Sequence, residues 1–336
     1  MAALDPAVAA VRAAVRRCLL DERARLTERP VLVACSGGAD SLALAAATAY
    51  LVRRERWRAG LVTVDHQLQA GSAERADAVA AWARAEGFDP VVVVPVSVAG
   101  RSGGPEAAAR EARYEALVAV AHQEDAVSVL LGHTREDQAE TVLLALVRGG
   151  GPRGLSGMPE RRVQDDVPLV RPLLQLSRKE TRAACEALAL TPWDDPHNTD
   201  PAYRRSQARG LLESLVDALG PAVVGNLARA ASLIAADTAA LDTWASGVLD
   251  RRLAEHPEAG LDCAELATLP AAVRGRVLRD WALRLGCPGT DLSHRHVAAL
   301  DALITRWHGQ GPTHLPGAIV VARCGGQLRR VDGGER

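Results

Sequence analysis

Over the first 148 residues, short runs that are apolar at every position alternate with longer stretches of helical period. The runs are VLVAC, LVTVD, VVVVP and VSVLL, near 30–35, 60–65, 90–95 and 127–131. Continuously apolar runs belong to strands buried on both faces, and their alternation with helices belongs to a parallel sheet covered on both sides. A further strand near 167–170, then a helix opening at Ser177 with Glu180 three residues on, completes the set. The predicted fold is therefore α/β, a five-stranded parallel doubly wound sheet of Rossmann-like type. In such sheets ligands sit beyond the carboxyl ends of the strands, which places chemistry at 36–41, 65–72, 96–104 and 132–137 before any motif is read.

From 149 the texture changes. Glycines and prolines crowd residues 149–159 too densely for regular structure, and TPWDDPHNTDP at 191–201 is rich in turn residues. The expected division is a catalytic domain over 1–200, with an N-terminal helix at 6–27, and a helical domain over 201–336. Helices near 202–219, 221–250, 270–286 and 293–308 precede a short strand pair around Gly325 and Gly326.

Composition narrows the class without naming a partner. With 48% hydrophobic and 24% charged residues over 336 positions, disordered, collagen-like and coiled-coil chains are excluded. Aromatics are 3%, so Ala, Leu and Val must fill the core. Forty basic and 41 acidic side chains give a net charge of −1, and all the basic residues but Lys179 are Arg, an excess read first as codon bias. The basic surplus is local, with 11 basic against 8 acidic side chains over 148–209, where a polyanion would lie. Six scattered cysteines without a C-x-x-C pair argue against disulfides, a zinc ribbon or a sulfur relay. They fit a reducing, cytoplasmic setting. The N-terminal stretch lacks the apolar core of a signal peptide, and no run approaches the ~18 apolar residues of a membrane span.

Ser36-Gly37-Gly38-Ala39-Asp40-Ser41 follows the first strand and opens a helix. Two glycines, two hydroxyls and a helix N-terminus form a cradle for phosphates. A connecting turn would need the same glycines but not Asp40, a carboxylate that suits an anion site when a divalent cation arrives with the phosphates. The loop is not a Walker A motif, which requires a lysine. The formal G-x-G-x-x-G at Gly149, Gly151 and Gly154 follows a helix and contains Pro152, so it lacks its structural context.

SGGADS in this position resembles the pyrophosphate-binding loop of the N-type ATP pyrophosphatases. VDHQLQ (64–69), AREARY (109–114), GHTREDQAET (132–141), RGGGPRGLSGM (148–158), RPLL (171–174) and PWDDPHN (192–198) follow in the order of the tRNA(Ile)-lysidine synthetase family. The resemblance covers about 28–210 closely and is with the short form of that family. It implies ATP-dependent attachment of L-lysine to carbon 2 of the wobble cytidine in the CAU-anticodon tRNA(Ile), through an adenylated intermediate, with AMP and diphosphate released. On that resemblance Ser36, Gly37, Gly38, Ala39, Asp40 and Ser41 hold ATP with His66 and Arg113, and Asp40 and Asp137 bind Mg2+. Asp40, His133, Asp137 and Arg205 are the expected catalytic residues, His133 touching phosphates and Asp137 binding metal or taking a proton from the amine.

Other residues face bland alternatives. Glu140 either orients the amine or is an exposed helix residue, and Arg113 either reaches nucleotide or pairs with Glu111 or Glu115. Arg148, Arg204 and Arg209 are expected to contact tRNA, and Trp193 either stacks on a base or packs at the hinge. A homodimer is compatible with the resemblance, and no membrane partner is implied. Competing readings are a tRNA thiolase, disfavoured by the unpaired cysteines, a small-molecule amide ligase, disfavoured by segment 148–209, and a nucleotide-gated RNA-binding protein with a dead site.

Overall fold

The protein is described by a computed structural model over residues 4–22, 24–67, 71–97, 104–194, 204–255 and 260–331. Helix α1 (Pro6–Leu19) opens on Asp5, whose carboxylate accepts from the N–H groups of Ala7 and Val8. There follow β1 (Val31–Ala34), α2 (Ala39–Glu55), β2 (Ala59–Asp65), α3 (Ser72–Ala85), β3 (Val91–Pro95), α4 (Pro105–Gln123) and β4 (Ser128–Leu130). Then come α5 (Arg135–Val147), α6 (Pro152–Leu155), β5 (Arg161–Gln164), β6 (Val167–Val170), α7 (Arg178–Ala187), α8 (Arg204–Leu219) and α9 (Ala222–Glu255).

The strands form one sheet in the order β3-β2-β1-β4-β6-β5, parallel except for the antiparallel β5–β6 pair. All five predicted strands are present, and a sixth, β5, is added. It is joined to β6 by Asp165 and Asp166 at φ 46° and 62°, the left-handed pair of a two-residue type I′ hairpin turn. Its sequence, RRVQ, is exposed at three of four positions and so carries none of the apolar signal that marks its neighbours. Likewise α6 places a single helical turn within the glycine-rich stretch that was expected to be irregular.

Alternating strand residues feed two cores, as the period of two requires. Val31, Val33, Leu61 and Leu130 pack with α1, α2 and Cys185 of α7, whereas Leu32, Val62 and Val129 pack under Tyr114, Leu117 and Val118 of α4. Both faces are thus covered, and only the strand ends are left open for a ligand.

The chain divides into two compact units at Ala235/Ala236, within α9, and not at residue 200. The difference has a physical cause, since α8 packs against α5 and Arg209 of α8 is bonded to Glu140 of α5. The second unit contains β7 (Leu261–Asp262), α10 (Cys263–Ala267), α11 (Ala271–Arg284), α12 (His294–Thr305), β8 (Thr313–Leu315), β9 (Ile319–Cys324) and β10 (Gln327–Arg330). Its antiparallel sheet runs β7-β10-β9-β8, so the expected strand pair is the centre of four strands, the outer two being two and three residues long. Leu249, Val277, Trp281, Leu300 and Val321 form its core. No single helix among the described residues is long and apolar enough to cross a membrane.

Candidate active site

Beyond the carboxyl end of β1, the chain must turn into α2 within a few residues. Gly37 takes φ +84°, in the left-handed region that favours glycine, and a Cβ there would lie 3.1 Å from Val79 Cγ2. Ser41 fixes the turn from inside, its hydroxyl accepting from the Ser36 N–H at 3.1 Å and donating to the Gly38 carbonyl at 3.0 Å. Trp193 ties the outside, its N–H donating to the Gly37 carbonyl at 3.0 Å. Gly38 is the N-cap of α2 and supplies no capping side chain, so the first N–H groups of the helix are left for an anion.

The loop is backed by Gly132 at the end of β4, where a Cβ would come within 3.1 Å of the Asp40 carbonyl carbon and the Ser41 nitrogen. The close approach brings two strand ends into one cleft of about 580 Å³. It is lined by Ser36, Gly38, Ala39, Asp40, Ser41, His66, Arg113, His133, Asp137, Arg205 and Arg209 among the expected residues. Gly37 underlies it. Glu140, Arg148 and Arg204 are not in its wall, and Arg148 and Arg204 are exposed. Trp193 and Asp194 line it, but residues 195–198 of PWDDPHN, together with 68–70 and 98–103 of the predicted crevice, lie outside the described residues.

The carboxylates of the cleft differ in kind. Burial pushes Asp40 up to about 6, with the Asp137 charge adding to the rise and the Thr181 hydroxyl opposing it. That hydroxyl donates to Asp40 Oδ1, and Oδ2 has no partner among the described residues. Asp137 is fully engaged. Its Oδ2 accepts from the Thr134 N–H and hydroxyl at 2.8 and 3.1 Å, completing the capping box of α5, and its Oδ1 accepts from Arg178 Nη2 at 2.6 Å. Burial alone would raise Asp137, but Arg178, His133 and these donors outweigh it and hold the carboxyl down to about 2.

Glu140 is 2% exposed, which settles that it is no surface helix residue. Its Oε1 accepts from Arg178 Nη1 at 2.9 Å and from Arg209 Nε at 3.2 Å. His133 is pushed down to about 3 by burial, reinforced by Arg171, Arg110 and Arg205, and is therefore neutral at physiological pH. Its buried Nδ1 has no hydrogen-bond partner among the described residues, which suits a group that serves a ligand. Burial lowers the proton affinity of Arg110 as well, and the charges of Arg205, Arg113 and Arg171 lower it further, which marks a field suited to phosphate.

Three residues that the sequence analysis does not single out also reach the site. Arg178, Thr181 and Arg182 face the cleft from the first turns of α7, which follows β6. The rule that pointed to 132–137 after β4 points equally to the segment after β6, and that signal was present.

Mg2+ takes one or two carboxylates and completes its octahedron with water and phosphate oxygens. Asp40 Oδ2 fits such a role, whereas Asp137 would first have to release Arg178. Among the described residues no group of three or more His, Cys, Asp or Glu side chains forms a metal cage.

The PP-loop domain family matches residues 11–215, and the TilS substrate binding domain family matches residues 261–333. The tRNA(Ile)-lysidine synthase of Salinispora tropica is 61% identical over 335 residues, covering 99% of both chains. That of Thermobifida fusca is 52% identical, covering 98% of both. Among solved structures, the U34-tRNA thiolase NcsA from Methanococcus maripaludis with its 4Fe-4S cluster matches with TM-score 0.55 at 18% identity, over 67% of this chain and 77% of that one. At that identity the likeness concerns the fold alone.

Proposed function

The chain belongs to the tRNA(Ile)-lysidine synthase family, and from that membership we propose that it joins L-lysine to carbon 2 of the wobble cytidine of CAU-anticodon tRNA(Ile), with ATP split to AMP and diphosphate. The observation that carries the reading is one cleft holding an anion cradle and a cationic wall, with the Asp137 carboxylate in that wall linked by Arg178 to Glu140 behind it.

Oxide is a poor leaving group and AMP a good one, so the cytosine must first be activated. Its carbonyl oxygen attacks the α-phosphorus of ATP, and the bond to the diphosphate oxygen breaks. The N–H groups opening α2 and the Ser36 hydroxyl hold the departing diphosphate. Arg113 and Arg205 balance its charge, and neutral His133 supplies an N–H without adding a proton that could be lost. Mg2+, held by Asp40 Oδ2, would neutralise charge on the phosphates when bound.

In the second step the lysine side-chain nitrogen attacks carbon 2, the C2–O bond breaks and AMP leaves. Asp137 and Glu140, three residues apart on α5, receive the ammonium, and Asp137 takes its proton. The cations that hold Asp137 ionised, Arg178 foremost, oppose that transfer until Oδ1 is released. Exposed Arg148 and Arg204 contact the tRNA backbone.

The test supplies purified protein with ATP, labelled lysine and a CAU-anticodon tRNA(Ile) transcript. Label enters the RNA, and one diphosphate is released per lysine joined. Absence of diphosphate, or incorporation that does not need the RNA, overturns the reading.

A further inference from the structure

The place where an ammonium would bind is filled by a cation of the chain itself. Arg178 Nη2 lies 2.6 Å from Asp137 Oδ1 and Nη1 lies 2.9 Å from Glu140 Oε1, so one guanidinium spans both carboxylates. The other acids at the cleft do not offer the same site. Asp40 is bonded to Thr181, and Asp194 is bound by Arg182 at 2.7 Å.

We propose that Arg178 is a resident surrogate for the substrate amine, and that it leaves for the phosphates when nucleotide fills the cradle, so that nucleotide opens the lysine subsite. This rests on the proposed function and deepens it, assigning to Arg178 the order in which the two substrates bind.

Three observations carry the inference. First, only the side chain has to move. The backbone N–H of Arg178 is pinned to Glu136 Oε2 at 2.9 Å, and the helix start is fixed by the Ser177–Glu180 capping box. Second, neither carboxylate is stranded when the guanidinium departs. Asp137 keeps the two donors of Thr134 and Glu140 keeps Arg209. An uncompensated buried charge, the usual obstacle to opening an ion pair, is therefore avoided. Third, a destination exists. Arg178 lines the same cleft as the loop 36–41, and Thr181, one turn along α7, already touches Asp40. A guanidinium binds phosphate as readily as carboxylate, and bidentately.

A subsite open in only a fraction of molecules shows an affinity lowered by that fraction. Nucleotide and lysine must then be thermodynamically coupled, and the coupling must pass through Arg178.

The experiment is calorimetric titration of lysine into the full chain, with and without a non-hydrolysable ATP analogue, for the wild type and Arg178→Gln. In the wild type the analogue tightens lysine binding roughly tenfold, the scale of one charge-assisted contact. In Arg178→Gln lysine binds tightly from the start and the analogue adds less than twofold. Equal coupling in both proteins overturns the inference, as does weaker lysine binding in the variant. If Arg178→Gln does not fold, the wild type alone decides, because lysine affinity indifferent to the analogue overturns it too. A wild type that binds both ligands with no coupling while still joining lysine to tRNA defeats this inference alone. A wild type that joins no lysine defeats the function beneath it.

Discussion

At the scale of single residues, the site works by setting two acids and a histidine apart. Asp40 is easier to protonate in the folded chain than in the unfolded one, moving from the ordinary 3.8 to about 6, because burial penalises its charged form. Between those values the folded state holds the extra proton, so stability falls as pH rises through the window and the cost persists above it. His133 has the opposite sign. Its folded value near 3 lies below the ordinary 6.5, so its contribution is full above 6.5 and is lost as pH falls toward 3. Asp40→Asn removes only the first effect. It should unfold at higher temperature than wild type at pH 7.5, by on the order of 2 kcal/mol after allowance for solvent, with the gap closed by pH 4. The same variant should release no diphosphate. Unfolding curves at the two pH values, beside a diphosphate assay, check both halves, and a variant no more stable than wild type at pH 7.5 refutes the first.

At the scale of elements, the cleft depends on how closely β4 approaches the turn into α2. Gly132→Ala puts a methyl group 3.1 Å from backbone atoms of Asp40 and Ser41, which have no flexible end to yield. The substitution should cost about 1–3 kcal/mol of stability, as overpacking does. It should also lower diphosphate release far more than the stability loss explains, because the displaced atoms belong to the cradle; urea unfolding and initial rates at saturating ATP separate the two. What the sequence made legible follows the same division. Strands buried on both faces announced themselves, as did SGGADS, whose function is local to six residues, and the α7 start at Ser177 and Glu180. What stayed hidden depends on contacts between distant positions. Arg178 meets Asp137 and Glu140 only because α5 and α7 follow neighbouring parallel strands, and nothing in SRKETR states that. The motif points to Asp137 as a metal ligand or proton acceptor, yet it is also the third residue of α5 and caps its own helix through Thr134. Strand β5 was invisible because an edge strand facing solvent has no apolar run to show.

For the whole molecule, near-neutral charge means that affinity for a polyanion has to come from local clusters of arginine. Arg148 and Arg204 are exposed and outside the cleft wall, so each should act through phosphate contacts alone. Replacing either by Ala should weaken tRNA binding and reduce the slope of log Kd against log salt by about 0.7 to 1. Filter binding across a salt series measures this, and an unchanged slope removes that arginine from the interface. The hairpin that closes one side of the large sheet has a consequence of its own. A parallel sheet ending at β6 would offer a bare row of amide and carbonyl groups to any passing extended segment, and aggregates grow by such additions. Strand β5 takes that row and presents Arg161, Arg162 and Gln164 in its place, with Arg161 anchored to Glu22. Like charges on identical rims repel, so the same four residues that give no hint of a strand in the sequence discourage crowded copies of the chain from zipping together at that margin.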